Sequence, residues 1–307
     1  MRTWCFAFSL IWSFSATASA QSDSAGTVSY RADTTLVLIP ITVTDSANRY
    51  VLGLEKDNFR LLEDGSAQTV KYFSNEDTPL SIGLLVDTSG SIAGKLDTSR
   101  QAAKELLKTL NAADEAFLVE FSDQAKLTVP LTRSTADIER RLNAESTGGL
   151  TALLDAVHVG LQEMKNAKNP RKALLIISDG GDNNSRYTAS EVKSLVREAD
   201  VQVFTIGVFE PLLALALSSE EIGGPRLLSQ LSEQTGGRAV AATNERDLPG
   251  IAQRIGLELR NQYLLAYSPT NQIHDGKYRH VKVNLVSPAD LPTLKARWRL
   301  GYYAPNQ

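Results

Sequence analysis

From Pro79 onward the chain repeats one pattern: a short run of uninterrupted apolar residues, then an amphipathic stretch of helical length. The apolar runs are "SIGLLVD", "AFLVEFS", "KALLIISD" and "VQVFTIGVF"; the helical stretches are 95–111, "STADIERRL", "TALLDAVHVGLQEMKNA", "ASEVKSLVREA" and "RLLSQLSEQTG". A strand that is apolar on both faces needs cover on both faces, and alternating helices supply it to a parallel sheet. The pattern predicts an α/β fold with a doubly wound, mostly parallel sheet over 78–256. "AKLTVPL" reads as a hairpin partner of "AFLVEFS".

The flanks read differently. Over 28–75, "TTLVLIPITVTD" alternates apolar and polar side chains, and "NFRLLEDGSAQTVKYF" sets Asp64-Gly65 between two alternating runs, a hairpin signal because such a pair accepts the positive φ of a tight turn. After Gly256 the helices are expected to stop, and "NQYLLAYSPTN", "HDGKYRHVKVNLV" and "TLKARWRLGYYAP" read as strands. Neither flank is long enough to bury a good core alone. The N-terminal segment, 21–77, and the C-terminal segment, 257–307, are therefore expected to pair into one β-rich domain with the α/β domain inserted between them.

The first twenty residues, "MRTWCFAFSLIWSFSATASA", carry Arg2, an apolar stretch and a small-residue ending. That is the pattern of a secretory signal peptide, 1–20, and it predicts export to the periplasm, the cell surface or beyond. Cys5, the single cysteine, would leave with the peptide, so no disulfide is expected. With 42 % hydrophobic and 22 % charged residues the composition is that of a globular protein. The net charge of −3 and the scatter of Lys and Arg argue against a nucleic-acid partner.

Ligands of an open parallel sheet bind beyond the carboxyl ends of its strands. Asp87 closes one apolar run and Asp179 closes another; between them "STGGLTALLDAV" places Thr151 beside the start of a helix. Ser89 and Ser91 alternate with Thr88 and Gly90, so they point the same way. Asp87, Ser89, Ser91, Thr151 and Asp179 offer only hydroxyl and carboxylate oxygens, which suit a hard divalent cation, Mg2+ first, with Mn2+ or Ca2+ as alternatives. Taken alone, "DTSGS" is also an ordinary helix cap.

Here the chain resembles the von Willebrand factor type A domain, whose metal-ion-dependent adhesion site combines Asp-x-Ser-x-Ser, a separate threonine and a later aspartate. All five positions are filled, by Asp87, Ser89, Ser91, Thr151 and Asp179. The flanking "FRLLEDG", "QYLLAYSP" and "LGYYAP" resemble a secreted bacterial subfamily. The resemblance implies that the serines and the threonine ligate directly, that the aspartates act largely through water, and that a partner protein's Asp or Glu completes the coordination. It implies adhesion without enzymatic turnover. A structural or envelope-assembly role for the β domain is the alternative, followed by a metal-dependent hydrolase, for which no residue is a convincing general base.

Other signals read more plainly. Asp155, Asp182 and Asn183 read as helix and turn residues, and the three histidines lack zinc-like spacing. The stretch 209–226 leaves the sheet on the expected metal edge. Its apolar part runs from Leu212 to Leu217 and includes Ala214 and Ala216; it either contacts a partner or forms a short helix packed on the domain side.

Overall fold

The computed structural model describes residues 36–144, 147–208, 219–288 and 293–306. The expected signal peptide and the candidate partner contacts Leu212, Ala214 and Ala216 lie outside them. Four strands come first: β1 (Val37–Thr44), β2 (Phe59–Glu63), β3 (Ser66–Gln68) and β4 (Val70–Ser74). The α/β region follows, with β5 (Leu80–Asp87), α1 (Leu96–Leu107), β6 (Glu115–Phe121), β7 (Ala125–Thr132), α2 (Thr135–Leu142), α3 (Leu153–Met164) and β8 (Arg171–Ser178). It continues through α4 (Ala189–Glu198), β9 (Gln202–Val208), α5 (Ser219–Ser232), β10 (Ala239–Ala242) and α6 (Leu248–Arg260). The last strands are β11 (Gln262–Tyr267), β12 (Tyr278–Leu285), β13 (Lys295–Trp298) and β14 (Gly301–Tyr303).

The central sheet has the order β10-β9-β8-β5-β6-β7, parallel except for β7, which runs antiparallel to β6. The continuous apolar runs are there because both faces are covered, and β5 is buried at every residue. Ile82, Leu84 and Val86 join a core layer with α1, α2 and α6, whereas Leu85 joins the opposite layer with α3, α4 and α5. Burying one such side chain contributes about 1.5–3 kcal/mol, so the two layers hold the sheet more firmly than helix propensity does. Strand order reverses at β5, which has β6 on one side and β8 on the other. Asp87 and Ser178 thus end adjacent strands at the switch point, where such sheets bind ligands.

The flanks form two four-stranded antiparallel sheets, β13-β1-β11-β4 and β14-β12-β2-β3. Each takes strands from both ends of the chain, and one apolar cluster that includes Ile39, Ile41, Leu61, Tyr263 and Val283 fills the space between them. Asp64 and Gly65 connect β2 to β3 with φ of 46° and 84°, the left-handed pair that a two-residue hairpin requires.

The helical region ends later than the sequence suggests. Gly256 lies inside α6, because Ile255 and Leu259 keep an apolar stripe on the core. A Cβ at Gly256 would stand 2.2 Å from Thr109 Oγ1, so glycine there serves a close approach and not a helix stop. Where the chain enters and leaves the α/β region, Asp77 Oδ1 accepts from Arg171 Nη2 and Arg260 Nη1, both at 2.9 Å, and Arg260 also pairs with Asp114.

Candidate metal centre

Three loops meet at the carboxyl edge of β5 and β8. The first carries Asp87, Ser89 and Ser91. Asp87 Oδ1 accepts from Ser89 N at 2.9 Å, and Oδ2 accepts from Ser178 Oγ at 2.6 Å. Both carboxylate oxygens are therefore engaged within the protein, as suits a group that acts on a cation through an intermediary. Ser89 precedes the short 3-10 turn Gly90–Lys95 but its side chain makes no capping hydrogen bond. Its Oγ lies instead 3.1 Å from Ser91 Oγ. Asp87 and Ser89 are wholly buried and Ser91 is exposed.

The second loop carries Thr151, 4 % exposed, and is bolted to the first: Gly90 N donates to Gly149 O at 3.0 Å, and Gly148 N donates to Thr88 O at 2.9 Å. Gly149 has φ of 83°, and a Cβ there would meet the Asp123 carboxylate at 2.6 Å. The third loop carries Asp179, 9 % exposed, whose Oδ1 accepts from Gly181 N at 3.0 Å. It is tied to the second where Thr151 N donates to Asn183 Oδ1 at 2.8 Å and Asn183 N donates to Thr151 O at 3.0 Å.

Burial pushes the Asp87 carboxyl up to about 6; the Ser178 and Ser89 hydrogen bonds oppose that rise and the nearby Asp179 charge adds to it. A carboxylate held against its preference in this way gains from a cation close by. Among the described residues no group of three or more His, Cys, Asp or Glu is placed to hold a metal. A cation here would draw on hydroxyls as well as on carboxylates. The serine pair fits one: oxygens about 2.1 Å from Mg2+ at neighbouring octahedral positions lie about 3 Å apart, close to the observed 3.1 Å.

Two features escaped the sequence reading. Ser178 orients Asp87 and also accepts from Gly180 N at 3.0 Å; its only signal was its place beside Asp179 at a strand end. Asp182 and Asn183, read as turn residues, bind the start of α3 from across the site. Asp155 is spent on that same loop, its Oδ1 accepting from Arg186 N at 2.9 Å and Tyr187 N at 3.2 Å.

Residues 82–181 match the family model of the von Willebrand factor type A domain, a stretch that runs from β5 to the Asp179 loop. A von Willebrand factor type A protein from Catenulispora acidiphila superposes with a TM-score of 0.53 at 11 % identity, covering 90 % of this chain and 74 % of that one. The α/β region has the type A fold, and the flanks add antiparallel sheets to it. An uncharacterized protein of Synechocystis sp. is 29 % identical over 137 residues, 42 % of this chain and 32 % of its own. A magnesium-chelatase 67 kDa subunit of Chlorobaculum tepidum is 27 % identical over 198 residues, 61 % of this chain and 29 % of its own. The chain thus spans about a third of each of these curated relatives.

Proposed function

We propose that this protein is an exported binding protein that holds a divalent cation, Mg2+ in the first instance, at the carboxyl edge of β5 and β8 and uses it to grip an Asp or Glu of a partner protein. Ser89, Ser91 and Thr151 are the direct ligands; Asp87 and Asp179 act through water or through their neighbours. The cation supplies Lewis acidity toward an incoming carboxylate. Neutral hydroxyl ligands leave most of its charge uncompensated, and that remainder draws the partner's acid. The reading is one of binding without turnover.

The observation that carries it is the 3.1 Å spacing of Ser89 Oγ and Ser91 Oγ beside the buried Asp87 carboxylate. Ser89 makes no cap bond to the turn it precedes; its hydroxyl pairs with that of Ser91 at the strand end, next to an acid that is wholly buried. The experiment uses Mn2+ in place of Mg2+ and a short glutamate-containing peptide as probe. Water-proton relaxation should fall when the peptide joins the Mn2+-loaded protein, because its carboxylate displaces a metal-bound water. Equal peptide binding in the presence of chelator would refute the reading.

A further inference from the structure

We infer that Asp182, Asn183 and Ser185 are positioning residues for the metal centre: together they cap helix α3 from a separate loop and so set Thr151 relative to Asp179. The inference rests on the proposed cation site and names what holds two of its ligands in register.

The need for such a cap is local. The residue at the N-cap position of α3 is Ala152, with φ of −107° and ψ of 60°, and an alanine side chain has no acceptor to offer. The first N–H groups of a helix lack partners within the helix, and a buried start cannot leave them bare. Ala152, Leu153 and Leu154 are all buried. The acceptors come from the Asp179 loop. Leu154 N donates to Asp182 Oδ1 at 3.2 Å, and Asp155 N donates to Ser185 Oγ at 3.1 Å. Ser185 Oγ in turn donates to Asp182 Oδ1 at 2.5 Å, which fixes both side chains.

Thr151, one residue before the cap, is held the same way at both of its backbone groups. Its N–H donates to Asn183 Oδ1 at 2.8 Å, and its carbonyl accepts from Asn183 N at 3.0 Å and Asn184 N at 3.1 Å. The α3 side reciprocates through the Asp155 carboxylate, which accepts from Arg186 N and Tyr187 N. Backbone and side chain thus alternate across one seam. An ordinary cap would stabilise only its own helix. This one is borrowed from the loop that carries Asp179, so it ties Thr151 to Asp179, as the Gly148 and Gly149 bonds tie the same segment to the first loop.

Metal affinity depends on ligand spacing, and loss of a supporting hydrogen bond behind a ligand typically weakens binding about 10- to 100-fold. The test is calorimetric titration of Mg2+ into wild type, Asp182→Ala, Asp182→Asn and Ser185→Ala at a temperature where circular dichroism shows every variant folded. Amide hydrogen exchange at Leu154 and Asp155 is followed in the metal-free proteins. Asp182→Ala should weaken Mg2+ binding at least about 10-fold and speed exchange at both amides. Asp182→Asn keeps an acceptor oxygen without the charge and should restore most of the affinity. Loss of affinity in Asp182→Asn as deep as in Asp182→Ala would mean that the charge alone matters, and would overturn the positioning role. So would unchanged affinity in Asp182→Ala when wild type binds. Should wild type itself bind no Mg2+, the cation site falls and this inference with it.

Discussion

Ser89 Oγ and Ser91 Oγ stand 3.1 Å apart at the carboxyl end of β5, one on a buried residue and the other on an exposed one. In the proposed cation site that pairing would supply two neighbouring hydroxyl ligands of different accessibility. Ser91→Ala should therefore weaken Mg2+ binding at least about 10-fold while shifting stability by no more than about 0.5 kcal/mol, the usual range for an exposed site. Calorimetric titration and a urea melt on the same sample check both halves.

The Asp87 carboxyl, raised to about 6 by burial, makes the metal-free protein pH-sensitive. The folded chain binds this proton more tightly than the unfolded chain does, whose carboxyl titrates near 3.8. Stability therefore rises as pH falls from above 6 toward 4 and is lowest with the group ionised. Asp87→Asn should exceed wild type in stability at pH 7.5, in chelator, by on the order of 2–3 kcal/mol, and the gap should close as pH approaches 4. Urea melts of the pair across that range give the answer; a gap that does not change with pH would contradict it.

In the β sheets, Glu63 is 2 % exposed and its Oε2 accepts from Tyr267 OH at 2.6 Å and Tyr302 OH at 2.8 Å. Burial, with the neighbouring carboxylate, holds both phenols above their ordinary range, so they remain donors. The three residues come from β2, β11 and β14 and bridge the two sheets. Glu63→Ala strands two buried hydroxyls and should cost about 2–5 kcal/mol, against about 1–2 kcal/mol for Tyr267→Phe. Denaturant melts rank the two variants.

Glu258 of α6 is wholly buried and receives Arg238 Nε at 2.7 Å as well as Arg297 of β13. Its removal leaves two cations without their shared acid. Glu258→Ala should lower stability by about 1–3 kcal/mol, because the two guanidiniums it leaves are partly exposed and water screens them, and the triple replacement of Glu258, Arg238 and Arg297 by apolar residues should be no worse than the single change. Thermal melts of wild type, the single variant and the triple variant measure this.

The α/β sheet was legible because a parallel strand covered on both faces must be apolar throughout, as β5 and β9 are. The hydroxyl run was legible from its composition, but alternation is not what joins its members: Ser91 lies in the 3-10 turn Gly90–Lys95, and that turn brings its hydroxyl to Ser89. Glu63 also left a trace: Phe59, Leu61 and Glu63 share the inward face of β2, an acid where apolar residues belong. What the chain could not declare was pairing across distance. Asp182 and Ser185 look like turn residues until the start of α3 arrives beside them. The helical stretch "DLPGIAQRIGLELRNQ" runs through Gly256, and the nearness of Thr109 explains why that place takes a glycine.

The most direct test of the cation site is calorimetric titration of Mg2+ into chelator-treated protein, with Ser89→Ala, Thr151→Ala and Asp87→Ala beside wild type. Wild type should bind saturably at one site, and each variant should bind at least about 10-fold more weakly. No saturable binding in folded wild type, or equal binding in wild type and all three variants, would contradict it.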